Sequence, residues 1–157
     1  MAQKPVTNLS VTYNVALLTI DNLPNNLQIV SDIFNAVAEQ KINVDMISQA
    51  PPFRGKINLS FSMPAEDVVK ALSTLNQFKK NLPTLHVEVD AANTKISIYG
   101  EGMKNLPGVA ANLFTLMAAN GVEIKLVTTS EVDISYLVYD KDVDKALEAI
   151  KREYDLP

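Results

Sequence analysis

The residues of this chain that could do chemistry are few, and their types alone narrow the possibilities. There is no cysteine among the 157 residues, so disulfides, thiolate metal sites and a cysteine nucleophile are excluded. The single histidine, His86, rules out a histidine cage or a two-histidine mechanism, and its setting reads as a solvated strand face. Asp140, Asp142 and Asp144 alternate like the start of a calcium loop, but the later glycine and glutamate are missing, and helix capping by Asp140 is the expectation. No glycine-rich phosphate loop, Gly-x-Ser-x-Gly elbow or zinc spacing occurs, and Lys79-Lys80 reads as a solvated helix end. Two stretches stand out. Asn105-Leu106-Pro107-Gly108-Val109-Ala110 contains the chain's one Pro-Gly pair and lies between a strand pattern and a helix pattern. Proline suits a helix's first turn, glycine lets a ligand approach the backbone, and a helix N-terminus offers unpaired N–H groups to an anion such as an amino-acid carboxylate. Thr128-Thr129-Ser130-Glu131 is a run of hydroxyls where a buried strand ends; it reads either as a polar turn or as donors beside the Pro107-Gly108 turn.

The elements that must position these residues follow from hydrophobic periodicity. Alternation predicts strands over 6–13 and 15–20, a turn over 21–26, and a helix over 27–40 with Val30, Ile33, Phe34 and Val37 on one face. A strand over 44–49 leads into the Pro51-Pro52-Phe53-Arg54-Gly55 loop, and Ile57, Leu59, Phe61 and Met63 alternate as a half-buried strand. Pro64, Glu66 and Asp67 open a helix whose stripe is Val68, Ala71, Leu72, Leu75 and Phe78, and a strand covers 85–89. The order then recurs. A strand over 94–100 precedes a helix starting near Gly108 and closed by Gly121. Strands over 124–129 and 134–139 follow, then a last helix with Val143, Leu147, Ile150 and Tyr154 inward.

This recurrence is an internal repeat. A shift of about 80 places Phe34 on Phe114, Ala38 on Ala118, Ile42 on Val122 and Val44 on Ile124; beyond the extra loop at 51–55, Phe61 aligns with Tyr136. Each copy reads strand–helix–strand–strand–helix, which predicts an α+β fold of two ferredoxin-like βαββαβ domains. The first copy, 15–90, has its closing strand; the second, 94–157, lacks one, while the strand at 6–13 is left over. An unpaired sheet edge is a liability, so the N-terminal strand is expected to cross over and complete the second copy, interlocking the two.

Bulk properties agree with a globular protein. The net charge is −4 and the pI near 4.9, which argues against a nucleic-acid partner. No apolar run approaches a membrane span and the N-terminus has no signal-peptide core, so no membrane partner and a cytoplasmic location are expected.

Three stretches carry a resemblance. Gly100-Glu101-Gly102-Met103, Leu106-Pro107-Gly108-Val109-Ala110-Ala111 and Leu126-Val127-Thr128-Thr129-Ser130-Glu131-Val132 resemble the second ACT domain of aspartokinases, and Ile42-Asn43-Val44-Asp45-Met46-Ile47-Ser48-Gln49 resembles the matching part of the first. The similarity covers nearly the whole chain, which looks like the separate regulatory (β) subunit, or the C-terminal half, of an aspartokinase. It implies two interlocked ACT domains, feedback control by lysine or threonine, homodimerisation through ACT domains and a catalytic aspartokinase domain or subunit as partner. No cofactor and no metal are implied. The lysine–phenylalanine–glycine–glycine start of the kinase domain is absent, so this chain alone is not expected to phosphorylate anything. The effector positions that the resemblance carries over are Asn105, Leu106, Pro107, Gly108, Val109 and Ala110, then Glu123, Ile124 and Lys125, with Thr129 and Ser130 nearby; Asp45, Met46 and Gln49 would face a partnering ACT domain. Threonine-responsive members usually carry Asp-x-Pro-Gly at the first copy's turn, whereas this chain has Asn25-Asn26-Leu27-Gln28, which favours lysine. A stand-alone sensor of another amino acid and a ligand-free oligomerisation module are the competing readings.

Overall fold

In a computed structural model, which describes residues 3–157, the chain forms two compact units. The first is Asn14–Ala92; the second joins the N-terminal residues up to Tyr13 with Asn93–Pro157. Strand β1 is Asn8–Pro24 and strand β4 is His86–Tyr99, so each contributes one half to each unit.

In the first unit the later half of β1 is followed by helix α1 (Leu27–Glu39), strands β2 (Ile47–Gln49) and β3 (Lys56–Pro64), helix α2 (Val68–Asn76) and the early half of β4. The strand order is β2-β3-β1-β4, with β1 and β3 antiparallel from Val15↔Pro64 to Pro24↔Lys56. Alternation puts Ala16, Leu18 and Ile20 of β1 and Ile57, Leu59, Phe61 and Met63 of β3 on one face, where Ile33 and Val37 of α1 and Ala71 and Leu75 of α2 close the core. Each fully buried valine, leucine, isoleucine, phenylalanine or methionine among them contributes about 1.5–3 kcal/mol.

The second unit repeats the plan. The later half of β4 leads through a short 3₁₀ segment (Glu101–Asn105) to helix α3 (Val109–Ala119), strands β5 (Ile124–Thr129) and β6 (Asp133–Tyr139), and helix α4 (Val143–Tyr154). The order here is β1-β4-β6-β5. The N-terminal strand therefore closes this unit: the Thr7 N–H donates to the Tyr99 carbonyl at 2.8 Å, and Val6 is buried with Ile96, Ile98, Leu113, Met117, Tyr136 and Ile150. The fold is α+β, two interlocked ferredoxin-like units, as the strand count requires.

The repeat is visible atom by atom. Phe34 and Phe61 meet with ring centroids 5.3 Å apart and tilted by 60°; Phe114 and Tyr136 meet at 5.6 Å and 59°. Both first helices of the repeat end in the same way. Ile42 N–H returns to Val37 and Lys41 N–H to Ala38, while Val122 N–H returns to Met117 and Gly121 N–H to Ala118. The left-handed residue of this cap is Gly121 in one copy and Lys41 in the other.

Several sequence expectations need correction. The strands over 6–13 and 15–20 are one strand, because Asn14 adopts φ 57° without ending it. The turn over 21–26 begins only after Pro24; Asp21 and Asn22 form a bulge between Ile20 and Leu23 inside β1. The strands over 85–89 and 94–100 are likewise one, and the segment over 44–49 is ladder-paired only at Ile47–Gln49. Asp140 does not cap the last helix. It accepts a hydrogen bond from Thr94 Oγ1 at 2.7 Å and opens a 3₁₀ turn, so the α-helix starts at Val143.

Candidate functional site

Helix α3 begins one residue later than the Pro-Gly pair suggests. Gly108 is its N-cap, at φ 87°, and Pro107 stands before the helix rather than in its first turn. The left-handed conformation explains the glycine, and a Cβ built at this position meets nothing within 4 Å. The cap has no side chain to satisfy the helix N-terminus. The first free carbonyl, that of Gly108, takes the Asn112 N–H at 2.9 Å, which leaves the N–H groups of Val109, Ala110 and Ala111 without an intrahelical acceptor. The preceding 3₁₀ segment is braced by the Tyr99 hydroxyl donating to Glu101 at 2.6 Å and by Lys104 on Glu101 at 3.1 Å. The Tyr99 hydrogen bond, and then Lys104, hold the Glu101 carboxyl below its ordinary pKa.

Beside this turn, β5 ends at Thr129. The Ser130 N–H donates to the Asp133 carbonyl at 2.8 Å and Ser130 Oγ accepts from the Val132 N–H at 3.3 Å, which fixes the β5–β6 connection. Between the two loops lies an open depression of about 250 Å³, lined by Leu106, Gly108, Val109 and Ala110 on one side and Thr129, Ser130 and Glu131 on the other, over Met103 and Ile134. Amide donors and hydroxyls thus face one another across a space suited to a small zwitterion, with the Glu131 carboxylate available to an ammonium. Met103 and Ile134 were not among the candidate positions; Glu131 ends the hydroxyl run singled out in the sequence, although the resemblance carried over only Thr129 and Ser130 from it.

The other carried-over positions are placed elsewhere. Asn105 and Pro107 shape the turn without lining the depression. Glu123, Ile124 and Lys125 sit at the opposite end of β5, with Lys125 roughly 13 Å along the strand from Thr129. The Glu123 amide and the Lys125 ammonium are engaged within the unit. The Glu123 N–H donates to Asp142 Oδ2 at 3.3 Å, and the Lys125 ammonium lies against Asn93 Oδ1 and over the Tyr139 ring, 3.3 Å from its centroid. Burial raises the Asp142 pKa, but the hydrogen bonds from Lys145 and Glu123 outweigh it and leave the carboxyl below its ordinary value. Asp45, Met46 and Gln49 belong to the first unit. Met46 is 3% exposed, and its N–H and carbonyl are taken by Ser62 Oγ and the Ser62 N–H at 2.9 Å each, so its side chain does not offer an open face. Asp45 and Gln49 are exposed, Gln49 on the edge strand β2.

The equivalent turn of the first unit is partly occupied by the chain itself. Asn26 is the N-cap of α1, and its Oδ1 accepts the Gln28 N–H at 2.9 Å. One of the amides that α3 leaves open is therefore taken in α1 by the chain's own side chain.

Comparison with known proteins decides the family. The ACT domain family matches residues 21–77 and 96–154, one match in each unit. The chain belongs to the ACT domain family. This ACT pair is similar to an aspartokinase from Bacillus sp. (strain MGA3), at 37% identity over 142 residues, covering 90% of this chain and 34% of that protein. It superposes on a chain of a crystal structure of aspartokinase alpha and beta subunits with a TM-score of 0.86 at 29% identity, covering 96% of this chain and 99% of the other. With the regulatory subunit of aspartate kinase from Thermus thermophilus, in a ligand-free form, the TM-score is 0.82 at 28% identity, with coverage of 95% and 98%. The ACT pair spans about a third of the curated aspartokinases it matches. Its architecture is that of an aspartokinase regulatory region.

Proposed function

We propose that this ACT pair is the effector-binding part of an aspartate kinase, controlling aspartate phosphorylation in the lysine, threonine and methionine pathway by feedback. Lysine is the effector favoured here and threonine the second candidate. The observation that carries this reading is the open N-terminus of α3 facing Thr129 and Ser130 across a depression of about 250 Å³. The Val109–Ala111 amides would receive the effector carboxylate and Glu131 its ammonium. The capped N-terminus of α1 supports one such turn-site per chain. Homodimerisation through ACT domains, a cytoplasmic location and coupling to an aspartate-kinase catalytic domain or subunit belong to the same proposal. Among the described residues no helix is long and apolar enough to cross a membrane. Occupancy would shift the active–inactive balance only by the effector's differential affinity for the two states, about 1–3 kcal/mol for substantial inhibition.

A thermal-shift screen across the twenty amino acids tests it. Lysine or threonine at millimolar concentration should raise the melting temperature through linkage, and a flat response to all twenty counts against effector binding by this chain. The site itself is tested at Gly108. Gly108→Asp should abolish the shift with little loss of folding, because its carboxylate opposes that of the effector, and circular dichroism checks that the variant is folded. An unchanged shift in Gly108→Asp would place the site elsewhere.

A further inference from the structure

We infer that the outer face of the first unit carries a binding site for a borderline divalent transition ion, of which Zn²⁺ is the type, formed by Asp21, His86 and Glu88. The three side chains come from two neighbouring strands, Asp21 from β1 and His86 and Glu88 from β4, and their ligand atoms lie within 4.8 Å of one another. His86 Nε2 and Glu88 Oε1 are 3.2 Å apart. Two ligands bound about 2.1 Å from a tetrahedral zinc stand about 3.4 Å apart, so this pair already spans one edge of a coordination sphere.

The backbone supports the arrangement. His86 and Glu88 are two apart in a strand and share its outer face, while Val87 between them packs on the core. On β1 the bulge lets both Ile20 and Leu23 reach the core and leaves Asp21-Asn22 between them, with Asn22 held at φ 60°. Bulges commonly re-aim a side chain, and here the half-buried Asp21 carboxylate reaches the His86–Glu88 pair. Charge points the same way. Two carboxylates stand beside one imidazole, and among the described residues no lysine or arginine pairs with either of them. A divalent ion would supply the positive charge that the two carboxylates call for, in place of the hydrogen between His86 Nε2 and Glu88 Oε1. One imidazole nitrogen with two carboxylate oxygens suits zinc and its neighbours rather than magnesium or calcium, which take oxygen ligands, and leaves room for water.

His86 is the chain's one histidine, so its ring resonances are an unambiguous reporter. In the full chain freed of any affinity tag, Zn²⁺ alone should move them saturably at one equivalent and raise the melting temperature, while Mg²⁺ should leave them in place. Calorimetric titration should show at least about tenfold weaker binding for Asp21→Asn and for Glu88→Gln, and none for His86→Ala. These side chains are outside the core, and circular dichroism verifies that each variant is folded. Ring resonances unmoved by Zn²⁺ would overturn the site, leaving a plain His86–Glu88 hydrogen bond. Parent-like binding by both carboxylate variants would overturn the three-ligand assignment.

Discussion

Among single residues, Tyr136 is the one whose chemistry is out of step with its surroundings. It is fully buried in the second core, and its hydroxyl has no hydrogen-bond partner among the described residues. Its counterpart in the first unit is Phe61, which fills the same place without a polar atom. A buried unpaired hydroxyl costs about 1–3 kcal/mol, so Tyr136→Phe should stabilise the chain, by about 1 kcal/mol after relaxation. The pH dependence follows from the pKa, which burial, and then the nearby Tyr154, push up to about 12. The folded state holds its proton more tightly than the unfolded state does. Stability from this group is complete below pH 10 and is lost as the pH rises from 10 toward 12. Denaturant unfolding of both proteins should therefore show a steeper alkaline decline for the parent than for the phenylalanine variant. Equal slopes would mean that the hydroxyl reaches water. The repeat aligned this position with Phe61 on its alternating strand; which inward residue would be left without a partner depends on packing that no local pattern encodes.

At the scale of elements, the two copies act as controls for one another. Both first helices of the repeat end in the same double hydrogen bond, but one places Gly121 and the other Lys41 in the left-handed region. A non-glycine residue there costs about 1–2 kcal/mol, part of which glycine's greater unfolded-state entropy would offset. Lys41→Gly should raise stability by about 0.5–1 kcal/mol, read as a higher denaturant midpoint at unchanged slope, and a lower midpoint would show that the Lys41 side chain contributes more than its backbone costs. Elements were legible where pattern and punctuation agree, as in α1, β3, α3 and β6. They were misjudged where punctuation is tolerated. Asn14 takes a positive φ without leaving β1, and Asp90-Ala91-Ala92 stays extended within β4 although alternation lapses there between the two predicted strands. The candidate site divides in the same manner. The Pro107-Gly108 turn and the Thr129-Ser130 hydroxyls were readable because glycine, proline and hydroxyl runs carry local meaning. Glu123 and Lys125 were carried over by resemblance, and their engagement with Asp142, Asn93 and Tyr139 arises from residues distant in the sequence.

For the whole molecule, the consequence of the exchanged strand is that the second unit's integrity depends on residues at the far end of the chain. Counting strands against helices was enough to expect this, since one copy lacked a closing strand and one strand was spare. Which residue locks the exchange was not legible, because it rests on close backbone approaches between distant segments. The Pro5 carbonyl lies so close to Gly100 that a Cβ there would strike it, and the Lys4 carbonyl crowds Gly102 in the same way. Gly100 has an extended backbone, φ −172°, which any residue can adopt, so the glycine is required by space rather than by conformation. Gly100→Ala should therefore push the N-terminal segment away, cost about 3 kcal/mol or more, and expose Val6. Removing residues 1–13 should cost more still, through the lost burial of Val6 and the unpaired edge left on β4. The decisive measurement is their combination. If the clash acts only through the crossing segment, Gly100→Ala should add almost nothing in the truncated chain, a coupling as large as the single-variant effect. Amide exchange would locate the loss at 93–99. Full additivity would mean that Gly100 is needed for a reason unrelated to the N-terminal strand.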